Sequence, residues 1–125
     1  MCDGTGTVNS DDLKARTKAF ALRVLRVVES LPRTWRAETI GRQLLRSATS
    51  VGANYRAACR ARTRAEFVAK MGIVEEEADE SAYWMEILQE SGLVRKDRLD
   101  AVRAEANELV AITVASIKTA RTRAK

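Results

Sequence analysis

A single proline, Pro32, interrupts 125 residues, and the six glycines either crowd the first few positions or stand alone. Proline and glycine are the residues that most reliably stop regular structure. The long stretches between them are rich in Ala, Leu, Arg and Glu, which favours helix over strand. Four helices are expected. The first runs from about Asp11 to Ser30 behind a Ser10 N-cap and stops before Leu31-Pro32. The second begins between Thr34 and Glu38 and reaches about Arg60. The third opens on Thr63-Arg64-Ala65-Glu66, a capping box in which Thr63 and Glu66 would satisfy each other's amides. It closes at Ser91-Gly92, where glycine can take a left-handed conformation. The fourth runs from about Lys96 to Ala120. Links this short make neighbours antiparallel, so the expected fold is all-α, an up-down-up-down four-helix bundle. It would occupy residues 11–121, with a flexible N-terminal tail (1–10) and a basic C-terminal tail (122–125).

Apolar spacing agrees with this arrangement. Leu13, Thr17, Phe20, Val24, Val27 and Leu31 alternate steps of four and three, which is a bundle seam. Ile40, Leu44, Ala48, Val51, Tyr55 and Ala58 continue it in the second helix. Phe67, Met71, Val74, Ala78, Met85 and Leu88 do so in the third, and Leu99, Val102, Ala106, Leu109 and Thr113 in the fourth. Two helices carry more apolar surface than one core needs. Leu109 to Ile117 reads LVAITVASI without a charge. Ile73, Trp84 and Ile87 form a second stripe on the third helix. Self-association through Ile73, Trp84, Ile87, Val110, Val114 and Ile117 is therefore expected.

The chemistry available to such a chain is narrow. Histidine is absent, which removes the usual neutral-pH general base and the commonest metal ligand. The acidic run Glu75-Glu76-Glu77-Ala78-Asp79-Glu80 has no matching acids on the core faces of other helices, so a solvated or salt-bridged face is expected, with no cofactor. Gly41, Gly52 and Gly72 make no phosphate-cradling loop and mark close helix approach instead. No catalytic role is expected for any residue. Cys2 and Cys59 are too few for a disulfide framework and read as reduced thiols of a cytoplasmic protein. No secretory signal and no membrane-spanning run is visible.

Charge is segregated. The net charge is +5, but residues 31–64 hold eight arginines against Glu38 alone, whereas residues 65–92 hold eight acids against Lys70 alone. On a wheel of 100° per residue, Arg42, Arg46, Arg56 and Arg60 fall within about 80° of one another. Arg62 and Arg64 extend the stripe, and Arg121 and Arg123 lie near the chain's end. Guanidinium groups suit phosphates because each presents several donors in a planar fork. Nucleic-acid contacts are expected at Arg42, Arg56, Arg60, Arg62, Arg64, Arg121 and Arg123, through backbone and shape, since no base-reading motif is present. Arg46 is expected to pair with Glu77, a carboxylate close to the apolar stripe that needs a cation.

The run Gln43 to Ala58 (QLLRSATSVGANYRAA) resembles the central motif of the four helix bundle protein family, named for proteins encoded by intervening sequences in bacterial 23S ribosomal RNA genes. Glu66-Phe67 through Lys70, followed by Glu76 to Glu86 (EEADESAYWME), resembles its second motif. The similarity extends over about Leu13 to Arg121. It implies an antiparallel four-helix fold and a homo-oligomer, with a pentamer favoured. The family's retroelement accessory proteins, similar in fold and basic, work with a reverse transcriptase and its RNA. The resemblance thus implies structured RNA or DNA, and a reverse transcriptase if the chain is retroelement-linked, as partners. The alternative is a protein-interaction or structural oligomer that binds no nucleic acid.

Overall fold

Three capping side chains and one glycine mark helix boundaries. The computed structural model of the chain describes residues 9–123. Asn9, and not Ser10, caps α1 (Ser10–Glu29), its side-chain oxygen accepting the Asp12 amide at 2.8 Å. Thr34 caps α2 (Trp35–Cys59) by accepting from the Ala37 amide. Thr63 caps α3 (Arg64–Glu90) by accepting from the Glu66 amide at 3.0 Å. That is one half of the expected box; Glu66 makes no return bond. Gly92 turns the chain out of α3 at φ +80°, in the left-handed region where a Cβ is unfavourable. α4 (Lys96–Arg123) carries its helix past Ala120, so Arg121 and Arg123 are its last turn. These four helices are the whole of the regular structure among the described residues.

The helices form an antiparallel up-down-up-down bundle. α2 packs on α3 and α3 on α4 along most of their lengths, α1 packs on α2, and α1 touches α4 only sparingly. α1 and α3 do not pack together and occupy opposite corners. The spaced apolar positions are the core: Phe20, Val24, Leu44, Val51, Met71, Met85, Leu88, Leu99 and Leu109 are all essentially sealed from solvent. Full burial of each such side chain contributes about 1.5–3 kcal/mol.

Small and polar residues set how near the helices come. Buried Ser81 donates to Ser47 at 3.0 Å, and Ser47 donates to the Leu44 carbonyl at 3.0 Å. Thr17 and Thr113 are likewise buried, each bonded to a carbonyl of its own helix. No buried side-chain polar atom is left without a partner among the described residues. A Cβ on Gly41 would lie 2.9 Å from Leu31, just past α1, and 3.4 Å from Val28 within it, and one on Gly52 3.2 Å from Thr17, so both glycines do admit α1 closely. Gly72 does not follow that expectation, because a Cβ there would meet nothing within 4 Å. Cys59 departs from expectation too: it is held in a disulfide and is no free thiol. Cys2 lies outside the described residues. No described helix is long and apolar enough to cross a membrane.

α1 and α4 share the apolar core and are also linked across their seam by an ion pair. Arg16 forks onto Glu105 at 2.6 and 2.9 Å and approaches Glu108 at 3.3 Å. Arg16→Ala is expected to cost about 1 kcal/mol, the upper range for a half-exposed pair. Amide exchange should accelerate in α1 while α3 keeps its protection. Hydrogen-exchange mass spectrometry on the two proteins measures both.

Candidate nucleic-acid interface

Antiparallel packing decides which arginines meet. The C-terminus of α2, the N-terminus of α3 and the C-terminus of α4 share one end of the bundle. Arg56 sits in the last turn of α2, Arg60 is its C-cap, Arg62 lies in the link and Arg64 opens α3. Arg121 and Arg123 finish α4. All six side chains are exposed. Ala58, Phe67, Ile117 and Ala120 belong to one core cluster and hold the three segments in place beneath them. Cations at helix C-termini are also favoured by the negative end of each helix dipole. Asp11 and Asp12 of the first turn of α1, with Glu66, add acids to this end.

Arg42 does not join the group. It precedes Arg56 by fourteen positions, about 21 Å along the helix at 1.5 Å per residue. It lines a separate hollow of about 300 Å³ with Val28, Glu29, Arg33 and Glu38, where α1 hands over to α2. In its place the structure brings in two lysines. A shallow groove of about 210 Å³ between α1 and α2 has Lys14, Lys18 and Arg56 along its walls and Gly52 and Ala53 among its lining. The sequence signal was present in the four-residue spacing of Lys14 and Lys18, but nothing local ties those lysines to Arg56. Trp35, 77% exposed on the first turn of α2, was likewise not singled out.

Arg46 is occupied within the chain. It meets Glu77 at 3.3 Å and also bonds Glu80, which accepts the Trp84 indole N–H at 3.0 Å. The Trp84 bond, and then Arg46, hold the Glu80 carboxyl below its ordinary value. Elsewhere, burial and then Asp11 push the Tyr55 hydroxyl up to about 12.

The proposed association residues are placed unevenly. Ile117 is buried in the chain's own core at 8% exposure, so it offers no outer surface, contrary to expectation. Trp84 and Val110 are half-buried and packed against that core. Ile73 and Ile87 are half-buried, and Val114 is 42% exposed. Leu22, Leu25 and Tyr83, on α1 and α3, are exposed as well.

Residues 11–115 match the model of the 23S rRNA-intervening sequence protein family. The chain belongs to that family. Among solved structures, the fold is similar to a Bacteroides thetaiotaomicron protein of unknown function from the S23 ribosomal protein family. The TM-score is 0.81 at 29% identity, covering 87% of this chain and 97% of that one. No curated protein matches. The 23S rRNA-intervening sequence family match spans α1, α2, α3 and most of α4, so it includes every arginine of the basic end except Arg121 and Arg123.

The Glu80 contacts carry a pH signature. Its carboxyl is depressed in the folded state, so its contribution to stability is present above the ordinary value of 4.5 and is lost as pH falls through the lower folded value. Glu80→Gln should remove that part of the acid sensitivity. Urea midpoints measured from pH 6 down to about pH 3 should converge for the two proteins at the acid end.

Proposed function

We propose that this protein is a non-enzymatic, homo-oligomeric scaffold, pentameric as the family resemblance implies, which binds structured RNA or DNA through its arginine-rich end. The observation that carries this reading is the convergence of Arg56, Arg60, Arg62, Arg64, Arg121 and Arg123 from three chain segments onto one end of a rigid bundle. Planar guanidinium forks bind phosphate oxygens with defined geometry. A bundle end offers no helix shaped to enter a groove, so recognition would be of backbone and shape. Lys14 and Lys18 extend the basic surface along α1. Several copies in one assembly would raise a weak site to useful avidity without any new contact. A reverse transcriptase is a partner to be sought if the chain serves a retroelement. The protein-interaction reading has one observation in its favour, the acidic outer side of α3, which would repel phosphate.

The test is fluorescence anisotropy of a labelled structured RNA with nucleic-acid-free protein at about 50 and about 200 mM salt. Saturable binding that weakens steeply with salt is expected. Arg60→Glu/Arg64→Glu/Arg121→Glu should reduce affinity by at least about tenfold and flatten the salt dependence. Arg42→Glu should change it by less than about twofold, because Arg42 lies apart from the cluster. Absence of saturable binding at low salt, or equal effects of the two variants, would overturn the assignment.

A further inference from the structure

The hollow where α1 hands over to α2 lies at the end of the bundle opposite the arginine cluster, and it is built differently. Val28, Leu31, Pro32 and Ala37 give it apolar walls, with Ala37 sealed from solvent. Four charged side chains line the same space, two of each sign: Glu29 and Glu38, Arg33 and Arg42. None of the four makes an ion pair among the described residues. Its volume of about 300 Å³ is at the small end of ligand sites, which run from about 300 to about 1,000 Å³, and suits a single heterocycle. Trp35, Glu38 and Arg42 follow one another at i, i+3 and i+7, so they share one stripe of α2. That stripe puts Trp35 at the lip of the hollow. Trp35 is 77% exposed, more than any other large apolar side chain among the described residues. Arg36 beside it is exposed and makes no ion pair among the described residues either.

An occupant has to answer carboxylates and guanidinium groups together and offer a flat face to an indole. A phosphate alone would meet two carboxylates, and an aliphatic group would leave all four charges unanswered. A nucleobase meets every demand, and guanine meets them best. Its N1–H and N2–H₂ form an adjacent pair of donors that matches the two oxygens of one carboxylate. Its O6 and N7 form an adjacent pair of acceptors that matches a guanidinium fork. No other base of RNA has adjacent donors of this kind. We propose that the hollow takes a guanine base, with Glu38 accepting from N1–H and N2–H₂, Arg42 donating to O6 and N7, and Trp35 stacking on the ring. Arg36 supplies a cation for the attached phosphate. The source of the base is either a free guanine nucleotide or an unpaired guanine in a strand. Bases within a paired stem are stacked and cannot enter, so paired RNA meets the arginine end alone and is indifferent to Arg42. The site stands apart from the arginine end and does not rest on the function proposed above.

Nitrogen–proton NMR of the full chain tests this. Trp35 and Trp84 are its two tryptophans, and Trp35→Phe identifies which indole N–H signal is which. Titration with 5′-GMP should move the Trp35 signal saturably and leave that of Trp84 in place. The nucleotides 5′-AMP, 5′-CMP and 5′-UMP should bind at least about fivefold more weakly. Glu38→Gln should erase the preference for guanine, and Trp35→Ala, followed at backbone amides of α2, should weaken GMP at least about fivefold. Circular dichroism checks that both variants remain helical, as substitution of exposed side chains should allow. Arg60→Glu/Arg64→Glu/Arg121→Glu should leave GMP binding unchanged, which separates this site from the arginine end. A uridine hexanucleotide carrying one guanine distinguishes the sources: tighter binding than GMP assigns the base to an RNA strand, and binding no tighter assigns it to the free nucleotide. The proposal fails if inorganic phosphate moves the Trp35 signal as GMP does, since the site would then hold an anion only. It fails equally if the four nucleotides bind alike, if Glu38→Gln keeps the guanine preference, or if millimolar GMP gives no saturable shift.

Discussion

Where α2 crosses α3, two serine hydroxyls touch, and side chains one carbon long can do so only if the backbones themselves are close. Ser47 and Ala48 on one helix, with Ala78 and Ser81 on the other, are fully enclosed at this crossing. The close approach has consequences on every side. Leu44 and Val51 on α2 and Val74 and Met85 on α3 belong to the same buried core on either side of it. The close approach also brings Arg46, at the margin of the seam, within reach of Glu77 and Glu80 on the other helix, and Glu80 in turn steers the Trp84 ring. Larger residues at the crossing would push the helices apart and forfeit the packing and the ion pair together.

The fold was legible because it rests on local rules. Breaker positions bound the helices, and steps of three and four name the core, so the spaced apolar seams of α3 and α4 are wholly buried. The errors have local causes. Asn9 and Ser10 can each cap a helix, and only the geometry at the Asp12 amide separates them. Ile117 stands four residues beyond Thr113 and eight beyond Leu109, which places it on the buried stripe rather than on the outer side of an apolar run. The reciprocal half of the Thr63–Glu66 box depends on a rotamer that spacing does not specify.

The basic end was legible only in part. A helical wheel compresses the axis, so Arg42 falls in line with Arg56 although more than half the length of α2 separates them. Conversely, Lys14 and Lys18 join Arg56 through tertiary packing on the Gly52 side of α2, which no linear spacing records. Charge counts along the chain revealed the opposition between α2 and α3. They did not reveal which acids remain available once Arg46 has taken Glu77 and Glu80.

The thin seam between α1 and α4 bears on how the chain comes to be folded. α2, α3 and α4 are joined by short links and share the most extensive contacts, so they can assemble from near neighbours in sequence. α1 is synthesised before the other three helices, yet its fork from Arg16 to Glu105 spans 89 positions and needs α4, the last of the four. The first helix must therefore wait, held by α2 alone, until α4 has left the ribosome. During that interval its apolar side, from Phe20 to Val24, is the surface most in need of protection from neighbouring nascent chains.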